Sequence, residues 1–238
     1  MTTDLQFATR GTALAGAVGT AFSWPVHRWT EQPVEAFPAT PYPGLTPLGS
    51  FLVHAGTVRG LRDDSELRVR ATGEPVEDHL ARNACTPLDQ RVAVLAYGSN
   101  ANPVKLTEKL LRHAPGDAVV GVQAHVHDAA AAWCDRTRGD GELPATLVPR
   151  PGHTELHHVL LIPQDLLEHM HRWEGVRGGY YAYDPLTIGS VRLPVAWDDT
   201  IHCYVGAEHR PPLQVDGVHV LCHSVPQQRA RRLAAGAR

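Results

Sequence analysis

The sequence predicts an α+β protein, and three observations carry that prediction. Apolar runs of strand length are interspersed with segments of helical periodicity, in mixed order. The crossovers between them are short, which suits segregated strands and helices better than a doubly wound parallel sheet. The composition, 43% apolar and 20% charged over 238 residues, belongs to a globular chain that buries a core.

Taken in order, residues 1–90 differ in texture from the rest of the chain. Residues 29–48 carry Pro33, Pro38, Pro41, Pro43 and Pro47, the signature of an extended covering segment. Residues 50–61, SFLVHAGTVRGL, read as two short strands around Ala55-Gly56, a hairpin. A short helix is expected near residues 75–83. These features make residues 1–90 an N-terminal extension expected to pack on a main domain of residues 91–226. Within that domain residues 92–96 form an apolar strand. Asn102-Pro103 then starts a helix, because Asn is a good N-cap and Pro at the first helical position loses no needed hydrogen bond. That helix runs to about residue 113 and ends at Pro115-Gly116. Strands are expected at 118–132, 145–148, 156–162, 180–188 and 200–205, and a helix at 164–173 closed by Gly175. Residues 136–144 form a polar loop, and residues 227–238 a basic C-terminal tail.

The formal net charge is −3 and the isoelectric point near 6.6. Neither gives a global reason to bind nucleic acid or anionic membrane. The basic run at 229–238 is read as a frayed, solvated terminus. No run approaches the roughly 20 apolar residues of a membrane span. Residues 11–25 are weakly apolar, yet the preceding stretch balances Asp4 against Arg10 and lacks the positive region of a secretion signal. Cys85, Cys134, Cys203 and Cys222 show no paired spacing. They outline neither a disulfide framework nor a thiolate metal site, and the chain is expected in a reducing cytoplasm.

Chemistry concentrates in two places. VAVLAYGSNANP, residues 92–103, breaks a buried strand into a small polar loop and turns straight into a helix. Such a junction gathers unpaired backbone N–H groups and the positive helix end, which suits a carboxylate or phosphate. Gly98 permits close backbone approach. The pattern also fits an ordinary strand-to-helix turn, and it is no P-loop, since GxxxxGK[ST] is absent. The second place is LLEHMHRWEGVRGG, residues 166–179. On a helix Leu167, Met170, His171 and Glu174 share one face. Partial burial and the negative helix end would both raise a carboxyl pKa there, and a glutamate tuned toward neutrality can act as general base and then general acid. The bland alternative is a solvated Glu174 in a fraying last turn.

His125 and His127 share a strand face, with Asp128 on the other, which is half a metal site at most. His219 and Cys222-His223 match no ligand spacing either, so no metal or other cofactor is expected. Ser99 lacks the GxSxG elbow of a nucleophile.

The two motifs together, AYGSN after an apolar strand and EGVRGGYY about seventy-five residues later, resemble the signatures of the γ-glutamylcyclotransferase-like family. The resemblance covers about residues 92–205 and leaves residues 1–90 outside it. It implies a small mixed β-barrel flanked by helices. It also implies cleavage of a γ-glutamyl amide by cyclisation, releasing 5-oxoproline and a free amine. Tyr97, Gly98, Ser99 and Asn100 would bind the glutamyl end, Glu174 would be the acid/base residue, and Tyr181 would line the site. The chemistry needs little from a protein. The α-amine is the nucleophile, and well-oriented cyclisations reach effective molarities on the order of 10⁵ M or more. The chain departs from the family around residues 213–221, where classical members carry a further aromatic residue and this one has none. The partner implied is a small γ-glutamyl substrate whose leaving amine is not specified; a homodimer is allowed and not dictated. The competing reading is a silent module that holds a carboxylate in the same cradle. A third, a hydrolase built on His125 and His127, would require another ligand beside them.

Overall fold

The computed structural model describes residues 23–236; the stretch from 11 into the early twenties that imitates a secretion signal lies mostly outside them. The strands are β1 (Ser23–Pro25), β2 (Glu31–Pro33), β3 (Thr46–Leu48), β4 (Phe51–His54), β5 (Thr57–Asp63) and β6 (Leu67–Val69), followed by helix α1 (Val76–Arg82). Then come β7 (Arg91–Ala96), α2 (Pro103–Leu106), a π-helical turn (Thr107–Leu111), β8 (Ala118–Trp133), β9 (Ala145–Pro163) and α3 (Leu167–Glu174). The chain finishes with β10 (Tyr181–Pro185), β11 (Ser190–Arg192), β12 (Ile201–Gly206), β13 (Gln214–Val215), β14 (Val218–His219) and α4 (Gln227–Gly236).

Ten strands make one mixed sheet ordered β10-β12-β7-β9-β8-β4-β5-β2, with β11 joined to β8 and β6 to β5. Within it β12 and β7 run parallel, and the other neighbours along that path are antiparallel. No ladder joins β10 to β2 among the described residues, so a closed form of the small mixed β-barrel expected from the resemblance is not found there. The α+β expectation stands, with α2 and α3 packed on one side of the sheet and α1 and α4 on the other.

Both faces of the sheet are buried. Ala93 and Leu95 of β7 pack into one core with Leu80 of α1 and Ala230 of α4. Val94 and Ala96 pack into a second with Leu106, Leu110 and Met170. That double burial is why VAVLA shows no alternation: a strand with no wet face gains from being apolar at every position.

The hairpin at 50–61 forms as predicted. β4 and β5 pair from Phe51↔Gly60 to His54↔Thr57, around Ala55 and Gly56, both at positive φ (48° and 72°), the demand of a tight hairpin turn. It extends the main sheet, because β4 pairs with β8. The two strands expected at 145–148 and 156–162 are one, β9. Pro149 and Pro151 suggest a split, but β7 pairs with β9 only from His158 onward. Among the described residues the proline-bearing stretch therefore has a free edge, where a missing N–H costs no ladder bond. A register irregularity lies beside it, between His127 and Ala129. The helix expected at 164–173 begins later, after a 3₁₀ turn at Gln164–Leu166. Residues 227–236, read as a solvated tail, are α4, whose Ala230 and Ala234 lie one turn apart and enter the core. Residues 237 and 238 lie outside the description. No described helix is long and apolar enough to cross a membrane.

Candidate active site

The strand–loop–helix junction folds as its sequence demands. Asn102 caps α2, its side chain accepting from the Lys105 amide at 3.0 Å, with Pro103 in the first helical position. Fully buried, Asn102 also donates to the Phe37 carbonyl at 3.0 Å and the Leu45 carbonyl at 2.7 Å. The proline-rich segment is thereby tied over the junction. The amide N–H groups of Gly98, Ser99 and Asn100 meet no acceptor among the described residues. Gly98 is required by close approach: a Cβ there would lie 2.7 Å from the Tyr42 hydroxyl.

Beside this loop lies a cavity of about 480 Å³, walled by the loop, the π-helical turn, the end of α3 and the strand ends at Ala145, Tyr181 and Tyr204. The core anchors α3 through Met170, which carries Glu174 to the cavity wall. Gly175 ends the helix in the left-handed region at φ 67°. A Cβ there would meet the Tyr180 ring at 2.8 Å, so only glycine allows this tight exit.

Glu174 is not a solvated residue in a fraying turn. Its Oε1 lies 2.8 Å from Lys109 Nζ, and the two side chains are 11% and 9% exposed. Lys109 Nζ also donates to Asn100 Oδ1 at 2.6 Å. A chain Asn100–Lys109–Glu174 thus spans from the loop to the helix end. The structure adds a partner, Lys109, to what the sequence suggested for Glu174. Lys109 sits in the π-helical turn, where Arg112 donates to the Thr107 carbonyl five residues back at 3.0 Å. Local π-helical widening is frequent at functional sites.

The tyrosines shape the cavity with their rings. Tyr97 donates its hydroxyl to the Tyr204 carbonyl, and Tyr181 donates to the Ala145 carbonyl at 2.8 Å. Burial pushes both phenols well above their ordinary value, so they stay neutral. Tyr42, from the proline-rich segment, accepts from the Ala145 amide at 3.2 Å and lines the cavity without filling it. Two arginines complete the wall. Arg138 is held by both carboxylate oxygens of Asp140, at 3.2 and 2.6 Å. Arg210 is buried, donates to the Arg136 carbonyl at 3.1 Å, and its Nε has no partner among the described residues.

All six residues singled out in the sequence, Tyr97, Gly98, Ser99, Asn100, Glu174 and Tyr181, line this one cavity. Lys109, Tyr42, Arg138, Arg210 and Tyr204 were missed. Only Lys109 left a local trace, since it lies two helical turns after Asn102 on the same face. His125 and His127 do share a face, with ring centroids 6.3 Å apart. Asp128 instead sits at the strand irregularity with φ 59°, and no third ligand joins the pair among the described residues.

No protein-family description and no curated protein matches the chain. Among solved structures it is similar to a gamma-glutamyl cyclotransferase, at 17% identity over 49% of this chain and 67% of that one, with a TM-score of 0.39. It is similar to a protein from Homo sapiens described as uncharacterized, at 16% identity over 62% of this chain and 80% of that one, TM-score 0.41. It is also similar to a yeast gamma-glutamyl cyclotransferase specific to glutathione, at 12% identity over 63% and 88%, TM-score 0.35. Likenesses this distant leave the functional reading to the geometry of the site.

Proposed function

We propose that the chain is a γ-glutamyl cyclotransferase-type enzyme that releases 5-oxoproline and a free amine from a γ-glutamyl amide. The observation that supports the reading is that Glu174 and the Tyr97–Asn100 loop line one cavity. In the proposed reaction the loop amides receive the substrate's anionic or developing oxyanionic oxygen. The α-ammonium enters beside Glu174 in place of Lys109, which keeps Asn100 as its partner. Glu174 takes one ammonium proton, the freed amine attacks the γ-carbonyl and the new C–N bond closes the ring; as the amide C–N bond breaks, Glu174 returns that proton to the leaving nitrogen, and the second proton shed by the ring nitrogen leaves with the amine, which departs as an ammonium. Arg210, a buried cation with an unpartnered Nε among the described residues, supports a substrate that carries a carboxylate.

The resting Lys109–Glu174 pair favours a second reading, a module that holds a carboxylate ligand without turnover, because its base is already engaged. One experiment separates them. Wild type and Glu174→Gln are incubated with a panel of γ-glutamyl amino acids and γ-glutamyl amines, and 5-oxoproline is measured by mass spectrometry. The enzyme reading expects product from wild type and a loss of about a hundredfold or more in the variant. A folded wild type that makes no product from any member, yet melts higher with a γ-glutamyl ligand, establishes the silent module.

A further inference from the structure

A second cluster lies outside the cavity. The Glu155 side chain, on β9, is fully buried. Its Oε2 accepts from the Ala131 amide at 2.8 Å and lies 2.8 Å from His157 Nε2. Its Oε1 faces His153 Nε2 at 3.2 Å and His223 Nδ1 at 2.9 Å. The rings of His153 and His223 stack with centroids 4.8 Å apart. The carboxylate is therefore anchored through one oxygen and presents the other to two imidazoles.

We propose that His153, Glu155 and His223 form a binding site for a zinc-like divalent metal ion. Their donor atoms lie within 4.8 Å of one another. Bonds of about 2.0 Å in a tetrahedral site set ligand atoms roughly 3.3 Å apart, close to the 2.9 and 3.2 Å separations from Glu155, while the two histidine nitrogens, within 4.8 Å of each other, close on the ion by side-chain rotation. Two imidazoles and one carboxylate suit zinc, cobalt or nickel. Magnesium and calcium prefer all-oxygen shells. His157 and the Ala131 amide supply the outer support that orients a metal-binding carboxylate. The side chains of His153 and His223 are each 23% exposed, which leaves a path for the ion and a position for water.

The site joins distant parts of the chain. His223 lies between β14 and α4, while Glu155 lies on β9, so an ion would clip the C-terminal segment to the β8–β9 hairpin. It bears on folding stability and is independent of the proposed reaction. The test uses the full chain stripped with a chelator, then titrated with Zn²⁺ by calorimetry and with Co²⁺ by visible absorption, with melts in Zn²⁺ and Mg²⁺. One equivalent of Zn²⁺ per chain, a melting temperature rising with Zn²⁺ but not Mg²⁺, and binding at least about tenfold weaker in His153→Ala/His223→Ala are expected. His153→Ala alone gives the same comparison should the double variant not fold. His125→Ala/His127→Ala keeps wild-type binding. Absence of saturable binding in wild type, equal affinity in the His153 variants, or loss of binding in the His125/His127 variant overturns the proposal.

Discussion

Lys109→Met keeps the side-chain stem and removes the ammonium. Glu174 then loses its partner at 2.8 Å and Asn100 loses its donor at 2.6 Å. Breaking a buried ion pair by removing one member costs about 3–5 kcal/mol. Here the two side chains keep about a tenth of their surface, 9% and 11%, and border an open cavity where water can solvate the orphaned carboxylate. That screening lowers the loss to about 2 kcal/mol. For a domain of this size each kcal/mol moves the midpoint by about 2–4 °C, so the variant melts about 4–8 °C lower. The assay is thermal unfolding by circular dichroism at neutral pH, run as a cycle with Glu174→Gln and the double variant. If the pair exists in solution the losses are non-additive by about 1–2 kcal/mol. A Lys109→Met midpoint within about 1 °C of wild type, or strictly additive losses, refutes the ion pair and with it the Asn100–Lys109–Glu174 chain.

Other expectations test neighbouring parts. Gly98→Ala drives a methyl group to 2.7 Å from the Tyr42 hydroxyl and costs about 1–3 kcal/mol; adding Tyr42→Phe, which removes that oxygen, recovers part of the loss, and a midpoint unchanged in Gly98→Ala contradicts the contact. His158 is fully enclosed against Phe51, with ring centroids 5.1 Å apart, and burial lowers its pKa from 6.5 to about 4. The folded state therefore holds it neutral, and the unfolded chain takes up the proton first as pH falls. The stability it contributes is complete above the unfolded value and lost as pH drops from 6.5 toward about 4, a change of roughly 3 kcal/mol. Midpoints measured across that range fall less steeply in His158→Leu than in wild type; identical slopes contradict the assignment.

Much of the site was legible because its signals are local. The N-cap at Asn102 with Pro103, the left-handed exit at Gly175 and the 3.6-residue phase from Met170 to Glu174 are each decided within a few residues of chain. The hairpin turn at Ala55-Gly56 is of the same kind. Strand β7 was legible because burial on both faces leaves an apolar run, and β8 because its middle alternates between buried and exposed positions. Boundaries failed where the deciding neighbour is distant: prolines 149 and 151 look like a break until the free edge of β9 is known. The 227–236 helix looks like a solvated tail until Ala230 and Ala234 have a core to enter.

By itself, the sequence determined the α+β class, the hairpin and the two motifs, since propensity, capping and periodicity act between residues a turn or a pleat apart. Only the tertiary structure decided that Tyr42 and Arg210 stand at the cavity with Glu174. It alone decided that Lys109 neutralises Glu174, 65 positions along the chain, and that His223 meets Glu155 across 68. Charge pairing and metal ligation depend on through-space distance, and no local pattern encodes a distance between residues that only the fold brings together.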